Sequence, residues 1–281
     1  MTTIVFIHGR GQEGKDPGEL LKEWRAALCA GLGVAGLTTA AVLPYYGNVL
    51  HRVTAEAARR ADVLEHLPAD GAEEMPFHPF LPEEVGELER DLLADLAGSA
   101  GAPLAVAMGI SDALSWTLAR RMLTWLSRRT SVDKEIIKVF LQDVAVYLSH
   151  GRQPVLNEVR RALPTAGDLV LVSHSLGTVV ARDLLVDDAL RRRVVLWVTA
   201  GSPLGLPTIQ RNLLAKGMKH PGVEWLTTYD VNDVVALGHP LEPAWGTPLR
   251  QVEVQNHDTP HAIDSYLGHR TVAGPIGGAC R

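Results

Sequence analysis

The chain has 281 residues, enough for one large domain with an insertion. Hydrophobic residues make up 46% and charged residues 21%, the balance of a chain that buries a sizeable core. A net charge of −5 argues against a general nucleic-acid binder, which needs a basic face, and two cysteines, Cys29 and Cys280, offer neither a disulfide framework nor a metal cluster.

Residues 3–7 read as a short buried strand that ends in His8-Gly9-Arg10-Gly11. Met1-Thr2-Thr3 leads directly into Ile4-Val5-Phe6-Ile7, a run too short for a secretory apolar region and without its basic flank. No run reaches the roughly 18 apolar residues of a membrane span, so the expectation is a cytoplasmic protein. After a glycine-rich loop, Leu20, Leu21, Trp24, Ala27 and Leu28 follow a helical period that Gly31 and Gly33 end. Residues 38–45 read as a second strand. Strand, helix, strand is the signature of a parallel sheet.

Residues 50–150 then show no convincing strand. Residues 55–67 read as helix. Pro82-Glu83-Glu84 starts another with proline and acids in its first turn. Residues 104–126 are strongly apolar and contain Met108, Trp116, Met122 and Trp125, and Asp133 caps a helix through Val139, Phe140, Val144 and Leu148. This pattern predicts a helical cap or lid inserted after the second strand, with residues 1–49 and 151–281 forming the α/β core. An apolar face on the cap could wall an acyl pocket or make peripheral contact with a membrane.

A short helix over 155–163 leads into Leu169-Val170-Leu171-Val172-Ser173-His174-Ser175-Leu176-Gly177. Four apolar residues read as a buried strand. A sharp turn centres on Ser175, and Val179, Val180, Leu184 and Leu185 recur at helical spacing. Strand, tight turn and helix form a nucleophile elbow, which lifts a hydroxyl above the end of a sheet. It also places the Leu176 N–H and the helix N-terminus where an oxyanion would form. Ser173 stands where glycine is usual, and its small side chain suits a turn where strand and helix nearly touch.

Strands follow at 193–199, 223–229 and 249–254, with a helix over 207–214 between the first two. Residues 274–278 read as a loose tail. A serine hydroxyl needs a base within hydrogen-bond reach, and the base needs an orienting carboxylate. Such groups gather at the carboxyl ends of strands. Residues 223–229 deliver Asp230 and Asp233; residues 249–254 deliver His257 and His261, with His269 beyond. The order serine, acid, histidine is the one this architecture uses.

These stretches resemble the α/β-hydrolase superfamily, on its lipase and esterase side. The resemblance rests on Val5-Phe6-Ile7-His8-Gly9, the Ser173–Gly177 elbow, Gly201-Ser202-Pro203-Leu204, Asn232-Asp233-Val234-Val235, and His261 followed by Tyr266-Leu267. It covers residues 1–45 and 165–270 and leaves the insert aside. It implies a mostly parallel sheet flanked by helices. It also implies Ser175 as nucleophile, Asp233 in an Asp-x-Val setting as acid, and His261 ahead of Tyr-Leu as base. Asp230 competes as acid, and His269 and His257 as base. The second oxyanion donor is the N–H of Arg10, or of Gly11 if the loop is shifted.

The expected activity is cleavage of a carboxylic ester or a lipid acyl bond through an acyl-enzyme, with no cofactor and no metal. An amidase, thioesterase or peptidase could use the same three residues, and a silent fold could serve as an interaction module. Gly9-x-Gly11-x-x-Gly14 matches a dinucleotide fingerprint in spacing, but Lys15-Asp16-Pro17 is polar where helix packing is needed. The histidines are scattered, without His-Glu-x-x-His.

Overall fold

A computed structural model of the chain describes residues 1–62, 83–101 and 134–280. Six strands run in chain order: β1 (Thr2–Ile7), β2 (Ala40–Val42), β3 (Asp168–His174), β4 (Val194–Ala200), β5 (Trp225–Tyr229) and β6 (Leu249–Glu253). They form one sheet in the order β2-β1-β3-β4-β5-β6, and every neighbouring pair is parallel. The chain leaves β1 towards one edge of the sheet and leaves β3 towards the other. The carboxyl ends of β1 and β3 therefore flank a topological switch point, where α/β sheets open a crevice.

Alternation along the strands divides the core in two. Val5, Ile7, Leu169 and Leu171 face one apolar cluster; Ile4, Phe6, Val170 and Val172 face the other. The second cluster is closed by α1 (Pro17–Leu32), α9 (Ile263–Gly268) and α10 (Arg270–Ala279). Helix α1 starts where Asp16 accepts the Glu19 N–H at 2.8 Å, with Pro17 in its first turn, and ends at Gly33 in the left-handed region. The first cluster is closed by α2 (Gly47–Asp62), α3 (Glu83–Ser99), α4 (Lys134–Val146), a π-helical turn (Tyr147–Gly151), α5 (Arg152–Ala162), α6 (Leu176–Leu184) and α8 (Pro207–Asn212). A short α7 (Asp188–Arg191) precedes β4.

The described part of the insert is helical. Its buried residues Leu92, Leu96, Ile137, Phe140 and Val144 share one cluster with Val5, Leu169 and Leu171. These helices thus build a layer on the sheet, in addition to any role over its edge. The apolar stretch expected at 104–126, with Trp116, Met122 and Trp125, lies outside the described residues. No described helix is long and apolar enough to cross a membrane.

Two local expectations need correction. The second strand is only three residues long, an edge strand with a single neighbour. The glycine-rich C-terminal stretch belongs to α10 rather than to a loose tail: Val272, Ala273 and Ile276 recur at helical spacing and are fully buried. Cys29 and Cys280 are free thiols.

Candidate active site

Ser175 sits between β3 and α6 with φ 54° and ψ −131°. A non-glycine residue there carries strain of order 1–3 kcal/mol, so the surroundings must impose it. Those surroundings are backbone at close range. A Cβ on Gly177 would lie 2.3 Å from the Ile7 carbonyl oxygen, and one on Gly9 would lie 2.8 Å from the Ser175 Cβ. The need for small residues at the elbow is thus met at Gly177 and Gly9. Ser173 serves otherwise: it lies within β3, where its hydroxyl donates to the Val198 carbonyl (2.9 Å) and accepts from the Trp197 indole (3.0 Å).

The structure brings Ser175, His261 and Asp233 together. The Ser175 Oγ lies 3.0 Å from His261 Nε2, and His261 Nδ1 lies 2.8 Å from Asp233 Oδ2. Because the carboxylate accepts from Nδ1–H, Nε2 of the neutral ring is left to accept the serine hydroxyl. Asp233 is completely buried. Its Oδ2 also accepts from the Tyr266 hydroxyl at 2.8 Å, and its Oδ1 from the Val235 N–H at 2.9 Å. Burial pushes this carboxyl up, but the neighbouring His261 and the three donors outweigh burial and hold it below the usual carboxylate value. Tyr266 is pushed up, first by burial and then by the charge of Asp233.

Asp230, the competing acid, points elsewhere. Its Oδ1 accepts from the Asn232 N–H (2.7 Å) and its Oδ2 from the Asn256 N–H (2.5 Å). It ties the turn after β5 to the loop that carries His261. His269 Nε2 bonds the Asn256 side chain at 3.0 Å, and His257 is an exposed residue with φ 52°.

Two further histidines, unassigned by sequence reasoning, fix the main chain around the serine. His174 Nε2–H donates to the His261 carbonyl at 2.8 Å, and the two rings lie 4.6 Å apart. Burial, then the neighbouring His261, lowers its pKa to about 3. His8 stacks on Tyr46 at 4.0 Å, accepts the Tyr46 N–H at Nε2 (3.1 Å) and donates from Nδ1 to the Gly9 carbonyl (2.7 Å). Burial lowers its pKa to about 4. The Gly9 carbonyl and the Arg10 N–H belong to one planar peptide unit and point in opposite directions, so fixing one aims the other. The Arg10 side chain is held by Asp143, Nε to Oδ2 3.2 Å, whose carboxyl is pushed up by burial despite that cation. Leu176 is the first residue of α6, so its N–H has no partner within the helix.

Gly201, quoted in the resemblance without a role, has one here. At φ 53° it passes so close that a Cβ would meet Asp233 Oδ2 at 2.6 Å and His261 Nδ1 at 3.1 Å. Its place at the carboxyl end of β4 was the signal.

A cleft of about 1540 Å³ opens over Ser175, with Arg10 and His261 on its wall. It exceeds the roughly 300–1,000 Å³ of an ordinary small-molecule site. Among the described residues, no group of three or more His, Cys, Asp or Glu side chains is placed to hold a metal ion. The molecule is therefore a parallel α/β protein with a serine–histidine–aspartate hydrogen-bond chain at its switch point. No family profile, curated protein sequence or solved structure matches this chain.

Proposed function

We propose that this protein is a serine hydrolase that cleaves a carboxylic ester or lipid acyl bond. The observation that carries the reading is the continuous chain Ser175–His261–Asp233, at 3.0 and 2.8 Å, on a strained turn at the carboxyl end of the sheet. The Ser175 Oγ attacks the ester carbonyl carbon while its proton passes to His261 Nε2. The Leu176 and Arg10 N–H groups hold the resulting oxyanion. Asp233 keeps the ring oriented and stabilises the imidazolium. The Nε2 proton then goes to the departing alcohol oxygen as its bond to carbon breaks, leaving an acyl ester on Ser175. Water attacks that ester, giving up a proton to Nε2, and the proton returns to Oγ as the acid leaves.

A fluorophosphonate probe and a p-nitrophenyl ester assay test the proposal together. Stoichiometric labelling at Ser175 is expected, and Ser175→Ala is expected to lose label and up to roughly six orders of magnitude in turnover. Purified, folded protein that neither labels nor hydrolyses any ester would sink it.

A further inference from the structure

The segment Gly9-Arg10-Gly11, which offers the second oxyanion donor, carries a single side chain. Gly9 has no room for one, since a Cβ there would lie 2.8 Å from the Ser175 Cβ. Gly11 has φ 67°, in the left-handed region. Two glycines leave this backbone soft, and Arg10 is its handle. The main chain on either side of the Arg10 Cα is braced at close range. His8 Nδ1 donates to the Gly9 carbonyl (2.7 Å), and Gln12 Nε2 donates to the Arg10 carbonyl (2.9 Å). The turn from β2 into α2 grips the loop as well. The Tyr46 hydroxyl donates to the His8 carbonyl, the Tyr45 hydroxyl donates to the Gln12 carbonyl, and Asn48 Oδ1 accepts the Gly14 N–H at 2.9 Å.

The Arg10 side chain reaches out of this loop to the helical insert. Its Nε donates to Oδ2 of Asp143 on α4 at 3.2 Å, and Asp143 Oδ1 lies 3.5 Å from the Thr54 hydroxyl of α2. The two side chains are 21% and 13% exposed, so water and salt weaken the pair less than they would at an open surface. Helix α4 is itself anchored: Phe140 and Val144 are buried in the cluster that contains Val5 and Leu171. Asp143 is therefore a fixed point against which the loop can be set. An ion pair this far buried adds little stability over apolar side chains of the same size. What it supplies here is a position for the Arg10 Cα, and with it for the Arg10 N–H.

We propose that Asp143 is a positioning residue of the active site, which through Arg10 holds the oxyanion-binding N–H in place and makes the helical insert a working part of that site. This inference rests on the serine-hydrolase reading.

The test separates binding of a tetrahedral adduct from ordinary binding. A trifluoromethyl ketone carrying the acyl group of the p-nitrophenyl ester is the first probe. The Ser175 Oγ adds to its carbonyl carbon, the hydroxyl proton passes to His261 Nε2, and the carbonyl oxygen becomes the oxyanion. The matching trifluoromethyl alcohol, which forms no adduct, is the second probe. Each sample of full-length protein is first titrated with the fluorophosphonate. Asp143→Asn keeps the side-chain shape and removes the charge. It is expected to lower kcat/KM for the ester ten- to about a hundredfold and ketone affinity by the same factor, with alcohol affinity held within about twofold. Arg10→Met is expected to do the same. Adding Asp143→Asn to Arg10→Met is expected to cost nothing further, since Asp143 acts through Arg10. Should Asp143→Asn fail to fold, the exchange of the whole pair, Arg10→Met with Asp143→Leu, removes the buried charges together and is expected to give the same losses in folded protein. In labelled, active protein, unchanged ketone affinity, ketone and alcohol affinities that fall together, or losses that multiply in the double variant overturn the role of Asp143 and leave the hydrolase standing. Wild-type protein with neither label nor turnover removes both.

Discussion

Three histidines crowd Ser175 from two regions of the molecule. His8 and His174 come from the strand ends at the switch point, and His261 from the long loop before α9. The strand-end rings, His8 buried and His174 half-buried, are neutral and occupied with main chain: His8 binds the Tyr46 N–H and the Gly9 carbonyl, and His174 binds the His261 carbonyl. The loop histidine keeps 32% of its side chain exposed and spends both nitrogens on side chains, Asp233 and Ser175. Nearness to Ser175 therefore does not by itself make a ring a candidate base. What the ring nitrogens face, and whether a substrate can reach them, does.

Substitution at each histidine would break this contrast if it were wrong. His261→Ala is expected to lose up to about six orders of magnitude in kcat on p-nitrophenyl acetate. His174→Phe keeps the ring contact but removes the donor to the His261 carbonyl. Its expected loss is about ten- to a hundredfold, the scale of a misplaced catalytic group. Equal losses at the two positions would erase the division between working and positioning histidines. The aspartates form the next pair. Asp233→Asn is expected to cost about 10⁴ in kcat, because an amide facing Nδ1 favours the wrong tautomer. Asp230→Asn replaces an acceptor of the Asn256 N–H. Its main effect is expected on melting temperature, with a kcat loss under about a hundredfold.

Gly201 sharpens the comparison from the scaffold side. An added methyl cannot avoid Asp233 Oδ2 at 2.6 Å without moving the carboxylate, and φ 53° disfavours any side chain there. Gly201→Ala is expected to lower kcat by about a hundredfold through displaced hydrogen bonds, with KM changed less. A wild-type kcat in folded Gly201→Ala would show that the Asp233–His261 contact tolerates movement.

Some of this was legible in the sequence for physical reasons. The buried strand before Ser175, its tight turn and the amphipathic helix after it are local patterns, and order along the chain fixed the candidate acids and bases. Asp233 could not be separated from Asp230 by spacing, because both follow β5. Their directions are set by Tyr266 and Asn256, distant in sequence. His8 and His174 gave no signal as positioning residues, since a loop or strand-end histidine has no periodicity and its role depends on a carbonyl or amide brought in by the fold. Helix α10 was hidden by its glycines, which mask the apolar spacing at Val272, Ala273 and Ile276. The described part of the insert was legible as helix but not as a layer of the core, because which face a helix covers is a tertiary fact.

The smallest expected effect is on stability against pH, and it tests whether the strand-end histidines are neutral scaffolding. His8 is buried, and His174 and the distant His239 are half-buried; desolvation lowers their pKa values to about 4, 3 and 4. An unfolded chain binds protons on these rings near pH 6.5, whereas the folded chain refuses them until far lower pH. Their folded values lie below the unfolded one, so between those limits the unfolded state gains protons and stability falls as pH falls. The contribution is complete above about pH 6.5 and is lost at up to about 1.4 kcal/mol per pH unit for each ring. Asp233, held low, acts in the same direction below the ordinary carboxylate value. Asp95, Asp143 and Asp183, each pushed up by burial, act against it at the acid end. The window between about pH 5 and 6.5 therefore reports mainly the histidines. Urea midpoints are expected to drop steadily across it. His239→Gln, remote from Ser175, is expected to flatten the slope by about a third while kcat is retained. A midpoint that stays level from about pH 7 to 5 would mean that these rings take up protons in the folded state, and the contrast between the two regions would fail at its base.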